Sequence, residues 1–496
     1  VERSRGLGDV YKRQIYIFKF MLSQSAFEGS LRDLWKVSCP LMISYLSMTL
    51  MLFVDRIFLA QYSTSTLSAI TSSGVLAWGF IMGITTIANI SEVFVSQYNG
   101  NGNFSKVGTA VWQLIWLSCI SIFLFLPLAL WGSDIIYPNS SSYEHEYFKW
   151  LILGGPIFAL QAAVSGFFIG LGKTKIIQWL GVLGNIVNIV LDLVLIFGLG
   201  PIPSLGVTGA AIATNIGVGI QVVILIILFL QKQYKIHFET TNWKYHSKLF
   251  WNCIKVGFPP AVFIALELFA WACFYWIMGR AGENHLLVVS ICQSIFMLFL
   301  FFGFGIEKGA AAIAGNLIGA GQLDKIKRLL YSGIFLCIIF SCISLFPLLC
   351  WPDKIISCFL QHPSFLNQNT HMGSDINLLE LKEIIQSSLL LIGIFIFFEN
   401  IRWLLSGILT SAGDTFFLMI SGALSVWVCM ILPSYLLFMK NNCSIMCALW
   451  IWIFFSLVAV LLSLTRFLLG KWKKKNIFNQ KTTTTIAVDD ISKDNN

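Results

Sequence analysis

Apolar residues run along this chain in blocks too long for the core of a soluble domain. A helix needs about 20 apolar residues to cross a bilayer. Twelve blocks reach that length, near 37–60, 66–96, 107–131, 147–171, 175–199, 205–231, 250–278, 285–317, 327–351, 384–412, 414–439 and 443–469. They lack the short alternating segments of a membrane β-barrel. The pattern predicts an all-α polytopic membrane protein with twelve transmembrane helices. Several blocks exceed 25 residues, which permits tilt or a kink.

Composition sharpens this class. Of 496 residues, 57% are hydrophobic and 11% charged, and the mean hydropathy is +0.78. Soluble domains carry about 25% charged residues, so a water-soluble globule, a disordered chain and a coiled coil are excluded. The net charge of +9 reads as a topology signal. No basic segment interleaved with aromatics is large enough to hold a nucleic acid, and none is expected as a partner. The 12 Cys lie mostly in apolar runs, such as Cys39, Cys119, Cys273 and Cys337. They read as small buried hydrophobes, with neither a disulfide framework nor a zinc site indicated.

Loop charges orient the spans. Lys106, Lys173, Lys175, Lys232, Lys235, Lys244, Lys248, Lys325, Lys327, Arg328, Lys471, Lys473, Lys474 and Lys475 fall on one side. Lys149, Arg280, Lys354, Lys382 and Lys440 fall on the other, a bias of 14 to 5. Positive loops stay in the cytoplasm. Both termini are therefore expected to be cytoplasmic, in a plasma (inner) membrane. The long outer loop 352–383 holds His362 and His371, expected to be solvated. Residues 1–20 begin polar and basic and precede Met21, a natural start, so they are set apart as a non-native or disordered segment.

The chain also repeats itself. Lys36-Val37 with Pro40 recurs as Lys255-Val256 with Pro259, 219 residues on. Gly100, Gly102 and Lys106 recur at the same offset as Gly319, Gly321 and Lys325. Ser165-Gly166 and Gly172-Lys173-Thr174 recur 241 residues on as Ser406-Gly407 and Gly413-Asp414-Thr415, the longer offset absorbing the outer loop. The chain therefore reads as a six-helix lobe 21–231, a cytoplasmic linker 232–249, a second six-helix lobe 250–470 and a cytoplasmic tail 471–496. An even number of spans per half makes the repeat parallel, a plan common in transporters that bind substrate between their halves.

Gly172-Lys173-Thr174 is not a P-loop, because the motif needs glycine at 167 and the residue is Phe167. No catalytic nucleophile–base pair stands out, so an enzyme is not expected. The chemistry sits instead in charges inside the spans, each costing at least ~2.5–3.5 kcal/mol to insert. Asp55 lies in the first span; Asn188 and Asp192 lie four residues apart in the fifth, on one helix face. Carboxylate and amide oxygens suit a hard cation, and a buried carboxylate can carry a proton. Arg56 points about 100° away from Asp55 and is expected to snorkel outward. Glu267 and Glu399 lie midway along the seventh and tenth spans. Arg402, three residues on from Glu399, is placed to neutralise it, whereas no opposite charge lies within helical reach of Glu267. Glu307 and Lys308 read as a structural pair, and Glu92, near a span end, as wet. A few of the 42 Phe and 17 Trp lining a cavity would suit flat organic cations.

Taken in order, VDRIFLAQ, SQYNGNGN, GLGKT, NIVNIVLDLVLIFG, LGVTGAAIATN, KVGFPPAVFIALE, GNLIGAGQ and SGILTSAGDT resemble the multidrug and toxic compound extrusion (MATE) family over residues 31–470. The resemblance implies a monomeric antiporter that exports organic cations in exchange for Na+ or H+, with no cofactor. It matches Asp55, Asn188, Asp192 and Thr214 to the family's cation or proton site, with Na+ bound at the first three if at all. It matches Glu267 and Glu399 to acidic positions of the second lobe. Phe395 stands where some members carry Tyr, and Arg56 and Arg402 add positive charge beside site positions. The rival within the superfamily is a lipid-linked oligosaccharide flippase, which carries a more basic cavity. Outside it the rivals are a channel or a membrane enzyme, which gradient-driven uphill flux of unmodified substrate would exclude.

Overall fold

Twelve helices of the computed structural model are long and apolar enough to cross a bilayer. The structure describes residues 27–139, 142–199, 201, 203–360, 378–440 and 443–475. Segment 1–20, His362, His371 and most of the tail 471–496 lie outside these. The spans are α1 (Leu31–Tyr62), α2 (Ser72–Gly100), α3 (Ser105–Ile136), α4 (Tyr143–Gly170), α5 (Thr174–Phe197) and α6 (Gly206–Phe229). The second half holds α7 (Ser247–Ala281), α8 (Glu283–Gly319), α9 (Asp324–Cys350), α10 (Leu381–Ser411), α11 (Thr415–Lys440) and α12 (Met446–Leu468). Helices α1 to α6 pack into one lobe and α7 to α12 into the other. The described residues form no β-strand.

The long spans bend for identifiable reasons. Helix α1 carries Pro40, and α7 carries Pro259 and Pro260; each proline removes a backbone donor. Helix α3 widens into a π-turn at Leu128–Gly132, just after Pro127, and α11 does so at Trp427–Ile431, just before Pro433. Helix α4 breaks at Gly154, before Pro156. Asn215 of α6 donates its side-chain amide to the Trp150 carbonyl at that break, at 2.7 Å.

The repeat extends to backbone geometry. Gly102 and Gly321 adopt φ of 69° and 71°. Each ends its helix with the same pair of hydrogen bonds. Gly102 N–H donates to Asn99 O (3.1 Å) and Asn103 N–H to Tyr98 O (2.9 Å). Gly321 N–H donates to Ile318 O (3.0 Å) and Gln322 N–H to Leu317 O (2.9 Å). Gly172 and Gly413, at 71° and 78°, close α4 and α10 in the same way. This is the helix stop that a left-handed glycine makes without steric cost. The apparent phosphate-loop glycine, Gly172, is therefore a turn residue.

The lobes meet at the end of the molecule that carries the linker. There Gly100 of α2 abuts the Asn316 carbonyl of α8, and Gly319 of α8 abuts the Gln97 carbonyl of α2. Gln97 Nε2 donates to Ser411 O at 2.5 Å, and Asn316 Nδ2 donates to Gly170 O at 2.8 Å. These contacts exchange under the repeat offsets. The first halves of α1 and α7 also cross over. Leu34, Val37 and Leu41 join the second lobe's core with Ile306, Leu404 and Leu409. Phe250, Cys253 and Val256 join the first lobe's core with Phe94, Leu114 and Phe167.

The linker is strapped to the first lobe. Its helix, Lys232–Phe238, buries Tyr234, His237 and Phe238 against Phe104 and Phe167. Trp112 Nε1 donates to Thr240 O (2.7 Å) and Trp116 Nε1 to Trp243 O (3.0 Å). Gln113 accepts from His246 N–H (2.9 Å) and donates to Lys244 O (3.1 Å). Burial, helped by the Lys173 charge, pushes the His237 imidazole down to about 4. Burial likewise lowers the Lys173 ammonium. A histidine depressed when docked binds fewer protons docked than free, whose pKa is about 6.5. Docking should therefore weaken as pH falls from neutral toward the docked value. Protection of the amides over 232–246, corrected for the intrinsic pH dependence of exchange, is expected to fall between pH 7 and pH 5 in the wild type and to fall less in His237→Gln. Equal pH dependence in both would remove His237 from the effect.

Candidate functional site

Two buried polar clusters stand apart from the apolar packing, one in each lobe. In the first, Asp55 of α1 meets Asp192 and Asn188 of α5 and Thr214 of α6. Asn188, Asp192 and Thr214 are buried and Asp55 half-buried, while Arg56 is exposed, turned away as helix geometry requires. The two carboxyl groups lie within hydrogen-bonding reach of each other. With its amide nitrogen turned to the carboxylates, Asn188 donates to Asp192 Oδ2 and Asp55 Oδ1, both at 3.3 Å. Its oxygen then accepts from Thr214 N–H at 3.1 Å. The opposite orientation would set amide oxygen against two carboxylates. The Thr214 hydroxyl donates to Ala210 O at 3.0 Å. Asp192 Oδ1 is buried with no hydrogen-bond partner among the described residues.

Small residues make this closeness possible. A Cβ on Gly217 of α6 would stand 3.2 Å from the Asn188 Cβ and 2.9 Å from the Gly184 carbonyl. Tyr147 of α4 lies within electrostatic range of both carboxylates. Sequence reasoning missed it, because a tyrosine near a span end reads as an interfacial anchor.

The second cluster is centred on Arg402 of α10. Its Nε donates to both Glu399 oxygens at 3.0 Å and its Nη2 to Glu399 Oε2 at 2.7 Å. Ser456 of α12 donates to Glu399 Oε1 at 2.7 Å. The expected Glu399–Arg402 pairing is present. Glu267 has no opposite charge within helical reach on its own helix and finds a distant one: Arg402 Nη2 also donates to its Oε1 at 3.3 Å. The partner lies across the bundle on another helix, out of reach of any local pattern. Glu267 keeps 17% of its side-chain surface exposed and Glu399 only 3%.

Two expectations are overturned. Glu92 is not wet. It is 3% exposed and accepts from Lys308 Nζ at 2.7 Å, across the lobe interface. Glu307 and Lys308 do not pair with each other, since neighbours on a helix diverge; Glu307 instead accepts from the Ser406 hydroxyl at 2.9 Å. Among the described residues no group of His, Cys, Asp and Glu forms a metal centre. Phe395 packs against Phe296, Trp452 and Phe455 in the second lobe's core.

A family model described as MatE matches residues 40–194 and 259–436, one stretch in each lobe. Their starts differ by 259 − 40 = 219, the offset of the repeat. The probable multidrug resistance protein NorM of Thermotoga maritima is 24% identical over 480 residues, covering 94% of this chain and 98% of its own length. The multidrug resistance protein PmpM of Pseudomonas aeruginosa is 22% identical over 349 residues, 68% of this chain and 72% of its own. An outward-facing multidrug resistance MATE family transporter of the MOP superfamily shares the fold, with a TM-score of 0.75 at 18% identity over 91% of this chain and 97% of its own. A MOP superfamily transporter from Pyrococcus furiosus, described as having a binding pocket of reverse polarity, matches with a TM-score of 0.75 at 16% identity, over 90% and 96% of the two chains. With both six-helix halves matched in order, the chain belongs to the MatE family, the multidrug and toxic compound extrusion transporters.

Proposed function

We propose that this protein is a cation-coupled antiporter that exports organic drugs or metabolites by alternating access, with Na+ or H+ as the coupling ion. The observation that carries the reading is the contact between Asp55 and Asp192 inside the membrane. Two carboxylates so placed repel when both are ionised, so a proton or a cation between them is the stable arrangement. The unpartnered Asp192 Oδ1 supplies a vacant acceptor for it. Asn188, aimed nitrogen-first at the carboxylates, favours a shared proton here. Coordinating Na+ would require the amide to rotate and present its oxygen.

The positive loop charge supports a cytoplasmic linker end. The lobes are closed against each other at that end. Burial of Asp55, Asp192, Glu267, Glu399, Glu92 and Glu307 against Arg402 and Lys308 leaves the acids in excess, which argues against the basic cavity of a flippase. Export of a fluorescent organic substrate from proteoliposomes, with Na+ and pH gradients imposed separately, tests the proposal. Uphill export under one gradient and its collapse when that gradient is dissipated are expected. Flux that never exceeds equilibration would refute antiport.

Topology has its own test. Externally added thiol reagent should miss a single cysteine at 244, an exposed linker position, and react at 365, on a Cys-free background in intact cells. Labelling at 244 would invert the orientation.

A further inference from the structure

Under the 219-residue offset of the repeat, Glu92 corresponds to Ala311 and Lys308 to Asn89. The seal between α2 and α8 therefore has one part that exists twice and one that exists once. The backbone contacts of Gly100 and Gly319 are neutral and duplicated. The ion pair between Glu92 of α2 and Lys308 of α8, at 2.7 Å, has no counterpart. Glu92 lies five residues before Gln97 and Lys308 eight before Asn316. At ~1.5 Å per residue, the pair sits about 8–12 Å inside the backbone contacts.

This charged tie between the lobes is dry. The Glu92 side chain is 4% exposed and that of Lys308 16%. The other described ion pair joining 21–231 to 250–470, Arg328 with Glu28 at 3.4 Å, is more than half exposed on both sides and contributes little. The two partners have unlike surroundings. Lys308 lies within electrostatic range of Glu307 and the Tyr45 hydroxyl as well as of Glu92. Glu92 takes its compensation from Lys308. Its Oε2 is buried with no hydrogen-bond partner among the described residues.

Resting on the proposed alternating access, we infer that Glu92 and Lys308 are the gate of the linker end: closure of α2 on α8 requires both charges, and opening hydrates both. A buried pair returns little net free energy, because its attraction is offset by desolvation. The intact pair therefore does not lock the end shut. One charge alone behaves differently, since closure strands it in low dielectric and opening returns it to water. Removing one partner thus favours the open linker end, and removing both relieves that bias. The two single losses are unequal. Lys308→Met leaves Glu92 without its cation, whereas Glu92→Gln leaves Lys308 beside Glu307. A tie that merely held the lobes together would give the reverse pattern, with the double variant at least as open as either single one.

Spin labels on cysteines at Ser105 of α3 and Gln322, between α8 and α9, report the gap between the lobes at that end; both positions are exposed. Double electron–electron resonance on the purified protein, on a Cys-free background and without any ion gradient, reads the distance populations. Lys308→Met is expected to raise the ratio of open to closed populations about tenfold or more, and Glu92→Gln to raise it less. Glu92→Gln/Lys308→Met should bring the ratio back near the wild-type value. An unchanged ratio in folded Lys308→Met overturns the inference, as does a double variant as open as the more open single one. Should Lys308→Met fail to fold, Glu92→Gln against the double variant gives the same comparison. Loss of gradient-driven export with these ratios as expected would instead count against antiport alone.

Discussion

Arg402→Ala should be among the most destabilising single substitutions in this protein. The guanidinium is the counter-charge for Glu399 and Glu267 together, and Glu399 keeps only 3% of its side-chain surface exposed. Breaking a buried ion pair by removing one partner costs about 3–5 kcal/mol, because the remaining charge is stranded in low dielectric. Thermal unfolding of the purified variant should begin well below the wild-type temperature. Adding Glu399→Gln should recover most of the loss, since the stranded charge goes with it. The Ser456 hydroxyl, 2.7 Å from Glu399 Oε1, can still serve the new amide oxygen. Wild-type melting of Arg402→Ala would mean that the pair is not what balances this layer.

Asp55→Asn acts on coupling rather than on stability. The amide is nearly the size of the carboxyl and keeps a hydrogen-bonding group beside Asn188 and Asp192, so folding and expression should persist. The cluster loses one of its two negative charges, and with it the reason to hold a cation or to exchange a proton. Export driven by an imposed gradient is expected to fall roughly tenfold or more, equivalent to about 1.4 kcal/mol or more of lost coupling. Thr214→Val should cost much less, because the Thr214 hydroxyl is already committed to the Ala210 carbonyl. Proteoliposomes loaded with equal amounts of each variant give the comparison. Undiminished gradient dependence in Asp55→Asn would take that residue out of the mechanism.

Run length made the spans legible, because only a helix satisfies its own backbone in lipid. The repeat was legible because turn glycines and prolines recur at fixed offsets. Local pairings could also be read: Asn188 with Asp192 and Glu399 with Arg402 lie three or four residues apart. What lay beyond the sequence was the partnering of residues brought together by helix packing. Arg402 reaches Glu267 from 135 residues away, and Lys308 reaches Glu92 from 216. Adjacent numbering misled at Glu307 and Lys308, although the same 100° step had correctly separated Asp55 from Arg56. Glu92 looked wet because it lies near a span end, but that is the end at which the lobes close.

The reciprocal crossing of α2 and α8 frees the two lobes to differ. Gly100 meets the carbonyl of Asn316 while Gly319 meets that of Gln97, each contact the image of the other. A self-complementary contact of this kind is what two identical subunits make about a twofold axis. Within one chain the two lobes thus meet as two subunits of a homodimer would, about an axis along the membrane normal. Being halves of one chain, the two copies need not be identical. One lobe could assemble an oxygen cluster at Asp55 and Asp192 while the other acquired a guanidinium at Arg402, an asymmetry that no homodimer can encode.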